Sequence, residues 1–239
     1  MARLVISLQA SLRCDQRRFA EAGVLLDKAT VLYTEAGERG LAARTLIMQA
    51  NRLQAERATG AVLRLFRRAA ELVEAEEDPY LYLCAITGQV NALCDLSEAE
   101  AAEHLLTANQ HLYLRAADPH TSASFGFFQA RVDLERGRYD AAETGFRVAR
   151  DRLLELGRTY DAVAASLYLA ETLLASGKLA ELRKLAATLV PMYRARGVAR
   201  EAVASLRLLA EAIREETITT EWIVRPRRIL QERGQGGGP

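Results

Sequence analysis

The chain repeats itself with a period of about 40 residues, within the range of stacked repeat architectures. Ala10, Ala50, Val90, Ala130, Ala170 and Ala210 stand one period apart, as do Ala22, Val62, Ala102, Ala142 and Leu182. A third column, Leu26, Phe66, Leu106, Phe146 and Ala186, keeps the same step. Small residues recur in the first two columns and larger apolar ones predominate in the third, the signature of stacked structural units that bury a shared seam. Length therefore counts units, and the 239 residues hold about 5.5 to 6 of them.

The breaks recur with the columns. Gly37, Asp78-Pro79, Asp118-Pro119, Gly157 and Gly197 return at nearly the same step, and a Gly or a residue preceding Pro ends helices. A second set, Asp15 to Arg17, Thr59-Gly60, Ser97, Gly137 and Gly177, lies between them. Each unit is thus predicted to be two helices of about 17 residues, roughly 26 Å long at 1.5 Å per residue. Within Tyr139 to Leu156, Ala142, Phe146, Ala149 and Leu153 form one apolar stripe at helical spacing. Strand signals are nearly absent, so the expected fold is all-α, a right-handed solenoid of antiparallel helix pairs. The expected units are 1–38, 39–78, 79–118, 119–157, 158–197 and a partial 198–216. A capping segment at 217–233 is expected to cover the last apolar face with Trp222, Ile223 and Ile229, followed by a disordered Gly-rich tail at 234–239. Pro191 falls inside a predicted helix and is expected to bend it near Ala187.

Composition narrows the function classes. Half the residues are hydrophobic, 6% aromatic and 26% charged, with a formal net charge of +1. That balance offers neither the basic excess of a nucleic-acid binder nor a membrane-surface patch. Cys14, Cys84 and Cys94 form no CxxC pair and are odd in number, which disfavours a disulfide framework and fits a reducing, cytoplasmic location. The opening stretch, interrupted by Arg3, Gln9 and Arg13, reads as a helix and not a signal peptide. No apolar run reaches about 18 residues, so no membrane span is expected.

In the fourth unit, Ala130, Gly137, Tyr139, Ala142, Phe146 and Ala149 follow a small, turn-Gly, aromatic, small, aromatic, small pattern. This spacing resembles the tetratricopeptide repeat (TPR) family over nearly the whole chain, most strongly from Ser124 to Gly197. Ala130 is expected to face Ala142 where the two helices of the unit approach. The units are longer than the family's usual length of about 34 residues. Long units of this kind are similar to the repeat domains of bacterial regulatory proteins, among them LuxR-type activators and peptide-sensing regulators. The run from Arg138 to Glu216 also resembles the C-terminal halves of bacterial repeat proteins that accompany sigma factors or anti-sigma zinc fingers. Neither a zinc finger nor a helix-turn-helix is visible in the sequence.

The resemblance implies that the first helix of each unit lines a groove that takes extended or helical peptides. The residue after the first small column is then the groove position: Ser11, Asn51, Asn91, Arg131, Glu171 and Glu211. Asparagines there can donate to and accept from a ligand backbone at once. One turn earlier, Ser7, Ile47, Thr87, Phe127, Leu167 and Arg207 form a mixed column, in which Ile47, Phe127 and Leu167 constitute an apolar patch suited to an amphipathic helix. A solvated helix face accounts for the polar column equally well, and burial in a tight superhelix or dimer for the apolar one. The carboxylate clamp of chaperone-binding members is not matched, because Ile47 stands where its Lys belongs and Gly88 and Phe128 where Asn and Arg follow.

No catalytic constellation converges. His104 and His111 are two helical turns, about 10 Å, apart, too far to share a metal, and His120 lies beyond them. The acidic clusters at Glu71, Glu74, Glu76, Glu77 and Asp78 and at Asp95, Glu98, Glu100 and Glu103 lack a nucleophile or His partner. Arg225, Arg227, Arg228 and Arg233 beside Trp222 read as a solvated terminal helix. The expected function is a non-enzymatic, cofactor-free and metal-free scaffold for a protein or peptide in a bacterial regulatory complex. The alternative is a ligand-responsive sensor that controls a sigma factor, transcription factor or protease. Leu4, Val5, Leu8 and Leu12 on the first helix are expected to be covered by a second copy of the chain, by another protein or by a further domain.

Overall fold

The structure, a computed structural model, describes residues 2–16, 18–54, 58–115, 119–195 and Ile213. The sixth unit, the capping segment and the tail, with Arg207 and Glu211, lie outside the described residues apart from Ile213. The chain divides into two compact units, Met1–Ala117 and Asp118–Pro239. In the first are α1 (Ala2–Asp15), α2 (Phe19–Glu35), α3 (Arg39–Gln54), α4 (Thr59–Glu71), α5 (Pro79–Asp95), α6 (Ala99–Ala108) and α7 (Gln110–Arg115). In the second are α8 (Pro119–Glu135), α9 (Tyr139–Glu155), α10 (Thr159–Ala175) and α11 (Leu179–Ala195). No strand occurs among the described residues. Within each unit every helix from α1 to α6 and from α8 to α11 packs on the next, and first helices of successive repeats also touch, α3 with α5 and α8 with α10.

The three columns explain this stacking. All members among the described residues are buried, from Ala10, Ala50, Val90 and Ala170 through Ala22, Ala102, Ala142 and Leu182 to Leu26, Phe66, Leu106, Phe146 and Ala186. Small side chains bring backbones together. A Cβ placed on Gly145 would lie 2.7 Å from Ala130 Cβ, so α8 and α9 approach about as closely as packed helices can. Ala130 therefore seats directly on Gly145, and it shares a buried core cluster with Ala142. In the second unit the core runs from Ala123 through Phe146, Tyr168 and Leu182 to Tyr193 and Ile213.

The turns use one device repeatedly. Gly137 has φ +72°, Arg138 N–H donates to Asp133 O at 2.8 Å and Gly137 N–H to Leu134 O at 3.0 Å, the two reverse bonds that close a helix C-terminus. Gly37, Gly157 and Gly177 share this left-handed backbone. At the equivalent position after α5 the residue is Ser97, at φ 60°, with Glu98 N–H on Leu93 O at 2.9 Å and Ser97 N–H on Cys94 O at 3.0 Å. A Cβ in that conformation costs roughly 1–2 kcal/mol, partly offset by the extra chain entropy that a glycine loses on folding. Ser97→Gly is therefore expected to stabilise the protein by about 0.5–1 kcal/mol, read as a higher urea midpoint at unchanged slope; an unchanged or lower midpoint contradicts it.

Two elements differ from the expectation. Thr59 and Gly60 do not break a helix but open α4, which starts after Ala58. The second helix of the third repeat is divided at Asn109 into α6 and α7; the buried Asn109 amide donates to Leu105 O at 2.8 Å, and such local side-chain bonds compete with the helical ladder. The start of α5 follows its sequence signal: Asp78 accepts from Leu81 N–H at 2.9 Å and Pro79 occupies the first turn. α11 continues through Pro191.

Candidate functional site

The groove column separates into two chemically different stretches. In the first unit Ser11 on α1, Asn51 on α3 and Asn91 on α5 are all half-buried. Ser11 Oγ donates to Ser7 O at 3.3 Å. One turn earlier Ser7, Ile47 and Thr87 are also half-buried, and the Thr87 hydroxyl donates to Leu83 O. These six side chains are neutral. Ile47 packs at the edge of the core around Leu46, Ala69 and Ala85, so its apolar side is satisfied while part of its surface stays open.

In the second unit the same columns turn inward. Leu167 is fully buried and forms no part of an exposed apolar patch. Phe127 is half-buried, its ring meeting those of Phe128, Phe146 and Tyr168 edge-on at centroid distances of 5.1, 5.6 and 5.4 Å. Arg131 is only 2% exposed. Its guanidinium donates to the Tyr168 hydroxyl and lies 4.7 Å from the Tyr168 ring centroid, a cation over an aromatic face. Arg131 is thus a core residue bound to the next repeat rather than a solvent-facing groove position. Glu171 remains half-buried. The neighbouring surface of α9 and the α10–α11 turn is built from charge: Lys178 Nζ lies 2.6 Å from Asp140 Oδ1 and 2.9 Å from Glu143 Oε2. Hydrogen bonding to Lys178 holds both carboxyls below their ordinary values, and the same bonds raise the lysine. Exposed pairs of this kind add little stability individually.

A further set of polar contacts escaped the column reading. Gln49 donates to Asp27 at 2.7 Å, from α3 to α2, and Gln89, one repeat further on, reaches Phe66 O at 3.4 Å, from α5 to α4. Both glutamines are buried. Their recurrence at the repeat period was visible in the sequence, but each adjoins the small column and its partner lies on another helix. They join repeats and do not face a ligand.

Among the described residues, reactive groups do not assemble. Cys84 is half-buried, and burial raises its thiol above the ordinary value, which keeps it protonated and unreactive at neutral pH. Burial likewise pushes the Tyr113 hydroxyl up to about 12, against a hydrogen bond with Thr87 that lowers it. His104 and His111 are exposed and His120 is half-buried. Among the described residues no group of three or more His, Cys, Asp or Glu can hold a metal ion, and no helix is long and apolar enough to cross a membrane.

No protein-family model matches the chain, and no curated protein matches it. A solved structure does: the crystal structure of a Rap protein complexed with competence and sporulation factor aligns with a TM-score of 0.74 over 96% of this chain at 14% identity. This chain spans 64% of that protein's length. At that identity the likeness shows the fold, a TPR-like helical solenoid.

Proposed function

We propose that the protein is a non-enzymatic scaffold that holds a protein or peptide segment on the first-helix face of a long-unit TPR solenoid, as part of a bacterial, cytoplasmic regulatory complex. The observation that carries this reading is the half-exposed, uncharged column Ser11, Asn51 and Asn91 on α1, α3 and α5. Amide side chains in a repeating row supply donors and acceptors at intervals, which suits the backbone of an extended segment whatever its sequence. The solved protein of the same fold is complexed with a separate factor, which supports a binding role. Glu171 and Phe127 in the second unit contribute at most edge contacts, because Arg131 and Leu167 are committed to the core.

The test is selection of short peptides from a displayed random library on the whole protein. Peptides taken by the wild type are expected to bind Asn51→Ala/Asn91→Ala at least about tenfold more weakly, the equivalent of about 1.4 kcal/mol, with an unchanged melting curve. Equal binding to both proteins, or no selectable peptide at all, overturns the proposal.

A further inference from the structure

The groove face of the first unit is wider than its two candidate columns. The fourth residue of each repeat precedes one column by three residues and the other by seven, spacings that share a helix face. That face carries Leu4, Ser7 and Ser11 on α1, Arg44, Ile47 and Asn51 on α3, and Cys84, Thr87 and Asn91 on α5. One turn further on it adds Cys14, Gln54 and Cys94. Arg44 is the single charged residue among these positions, and it belongs to neither candidate column.

The other arginines on α1 and α3 are engaged within the protein. Arg3 meets Glu38 at 2.6 Å, Arg13 meets Glu21 at 3.3 Å, Arg39 meets Glu74 at 3.9 Å, and the Arg52 guanidinium lies against Gly23. Arg44 is exposed and, among the described residues, has neither a hydrogen bond nor an ion pair. Asp78, at the start of α5, spends its carboxylate on the Leu81 N–H, and Asp95 stands at the opposite end of that helix. The charge of Arg44 reaches the seam where α3 and α5 touch: burial dominates in raising the Cys84 thiol, and Arg44, from the neighbouring helix, acts against that rise. Tyr80, 65% exposed and hydrogen-bonded to Cys84, gives the same spot an aromatic edge.

We propose that Arg44 receives a carboxylate of the segment bound in this groove, and so selects acidic segments from those that the asparagine column would hold whatever their sequence. The proposal rests on the peptide-binding reading and adds a sign of charge to it. A guanidinium stays charged, and its fork of donors matches the two oxygens of a carboxylate. On a face that is otherwise neutral, no internal counter-ion competes for it. A cationic segment meets repulsion at Arg44 with no carboxylate on the face to offset it, which makes the discrimination two-sided. A C-terminal carboxylate and an Asp or Glu side chain present the same pair of oxygens. Arg44 and Asn51 are about 10 Å apart along α3, so the two grip different parts of the segment and are separable by substitution.

The experiment selects peptides on the whole protein from two random libraries, one displayed with a free C-terminus and one with the C-terminus tethered. Enrichment of Asp or Glu in the tethered library identifies a side-chain carboxylate; binders confined to the free-ended library, and lost on C-terminal amidation, identify a terminal one. Arg44→Gln is expected to weaken the selected peptides by about tenfold or more, with an unchanged melting curve. Amidating the peptide carboxyl is expected to weaken binding to the wild type equally and to have little further effect on Arg44→Gln. Arg64→Gln, which removes an exposed cation of α4, is the control and should leave affinity unchanged. Peptides that bind Arg44→Gln as tightly as the wild type, yet weaken on Asn51→Ala/Asn91→Ala, overturn this inference and leave the peptide-binding reading standing. Equal losses from Arg44→Gln and Arg64→Gln overturn it as well, since the charge then acts only at long range. Failure to select any peptide overturns both.

Discussion

Gly88→Ala is expected to destabilise the protein by about 1–3 kcal/mol, although alanine is the better helix former by about 1 kcal/mol. A Cβ at residue 88 would stand 2.3, 2.4 and 2.5 Å from Cε1, Cζ and Cδ1 of Phe66. That ring is 2% exposed, so it has no free space into which to turn, and α4 and α5 must separate to admit the methyl. Gly126, in the middle of α8 with nothing within 4 Å of an added Cβ, is the control: Gly126→Ala should stabilise by about 0.5–1 kcal/mol. Phe66→Leu removes the obstructing ring atoms at the expense of buried contacts, so Phe66→Leu/Gly88→Ala should be more stable than the sum of the single effects, with a coupling of about 0.5–3 kcal/mol. Urea midpoints at constant slope measure all four proteins. Additive effects would show that the ring does not rest on residue 88.

This contact also marks how far the sequence could be read. The repeat period located Phe66 in a buried column and the paired breaks divided the chain into helices, because column and break signals are local properties of residue type. Contact partners are not local. The close approach of Ala130 to Gly145 is set by the relative rotation and offset of two helices, which the column pattern leaves open. Asn109 interrupts a helix whose apolar spacing continues undisturbed on both sides, since Leu106 and Leu112 are both buried. The period was sufficient for the architecture and insufficient for its joints.

Ser11, Asn51 and Asn91 of the candidate column are half-buried, whereas Arg131, expected beside them in the groove, is buried. A charged residue following a small column reads as the polar side of an amphipathic helix. What buries Arg131 is Tyr168, one repeat later on α10, which supplies both a hydroxyl acceptor and an aromatic face. Only the stacking of repeats brings that tyrosine over α8. Leu167, beside it, is drawn into the same core, so the apolar patch expected of Ile47, Phe127 and Leu167 is reduced to two half-buried residues on separate units.

Tyr168→Ala is expected to be the most damaging single change, at about 3–5 kcal/mol. It removes the stack on Phe146, whose planes are 11° from parallel, the edge contact with Phe127 at 5.4 Å, and the ring beneath a guanidinium that is almost wholly out of water. Tyr168→Phe keeps the rings together and removes only the hydroxyl that accepts from Arg131, so it should cost about 1–3 kcal/mol. A buried cation that loses partners is more harmful than a well-shaped apolar replacement. Arg131→Met in the Tyr168→Ala background should therefore recover part of the lost stability, while Arg131→Met alone should cost less than Tyr168→Ala. Thermal and urea melts of the four proteins decide the matter. If Arg131→Met deepens the defect of Tyr168→Ala by its full single-variant cost, the guanidinium does not depend on the tyrosine, and the aromatic stack alone holds α8, α9 and α10 together.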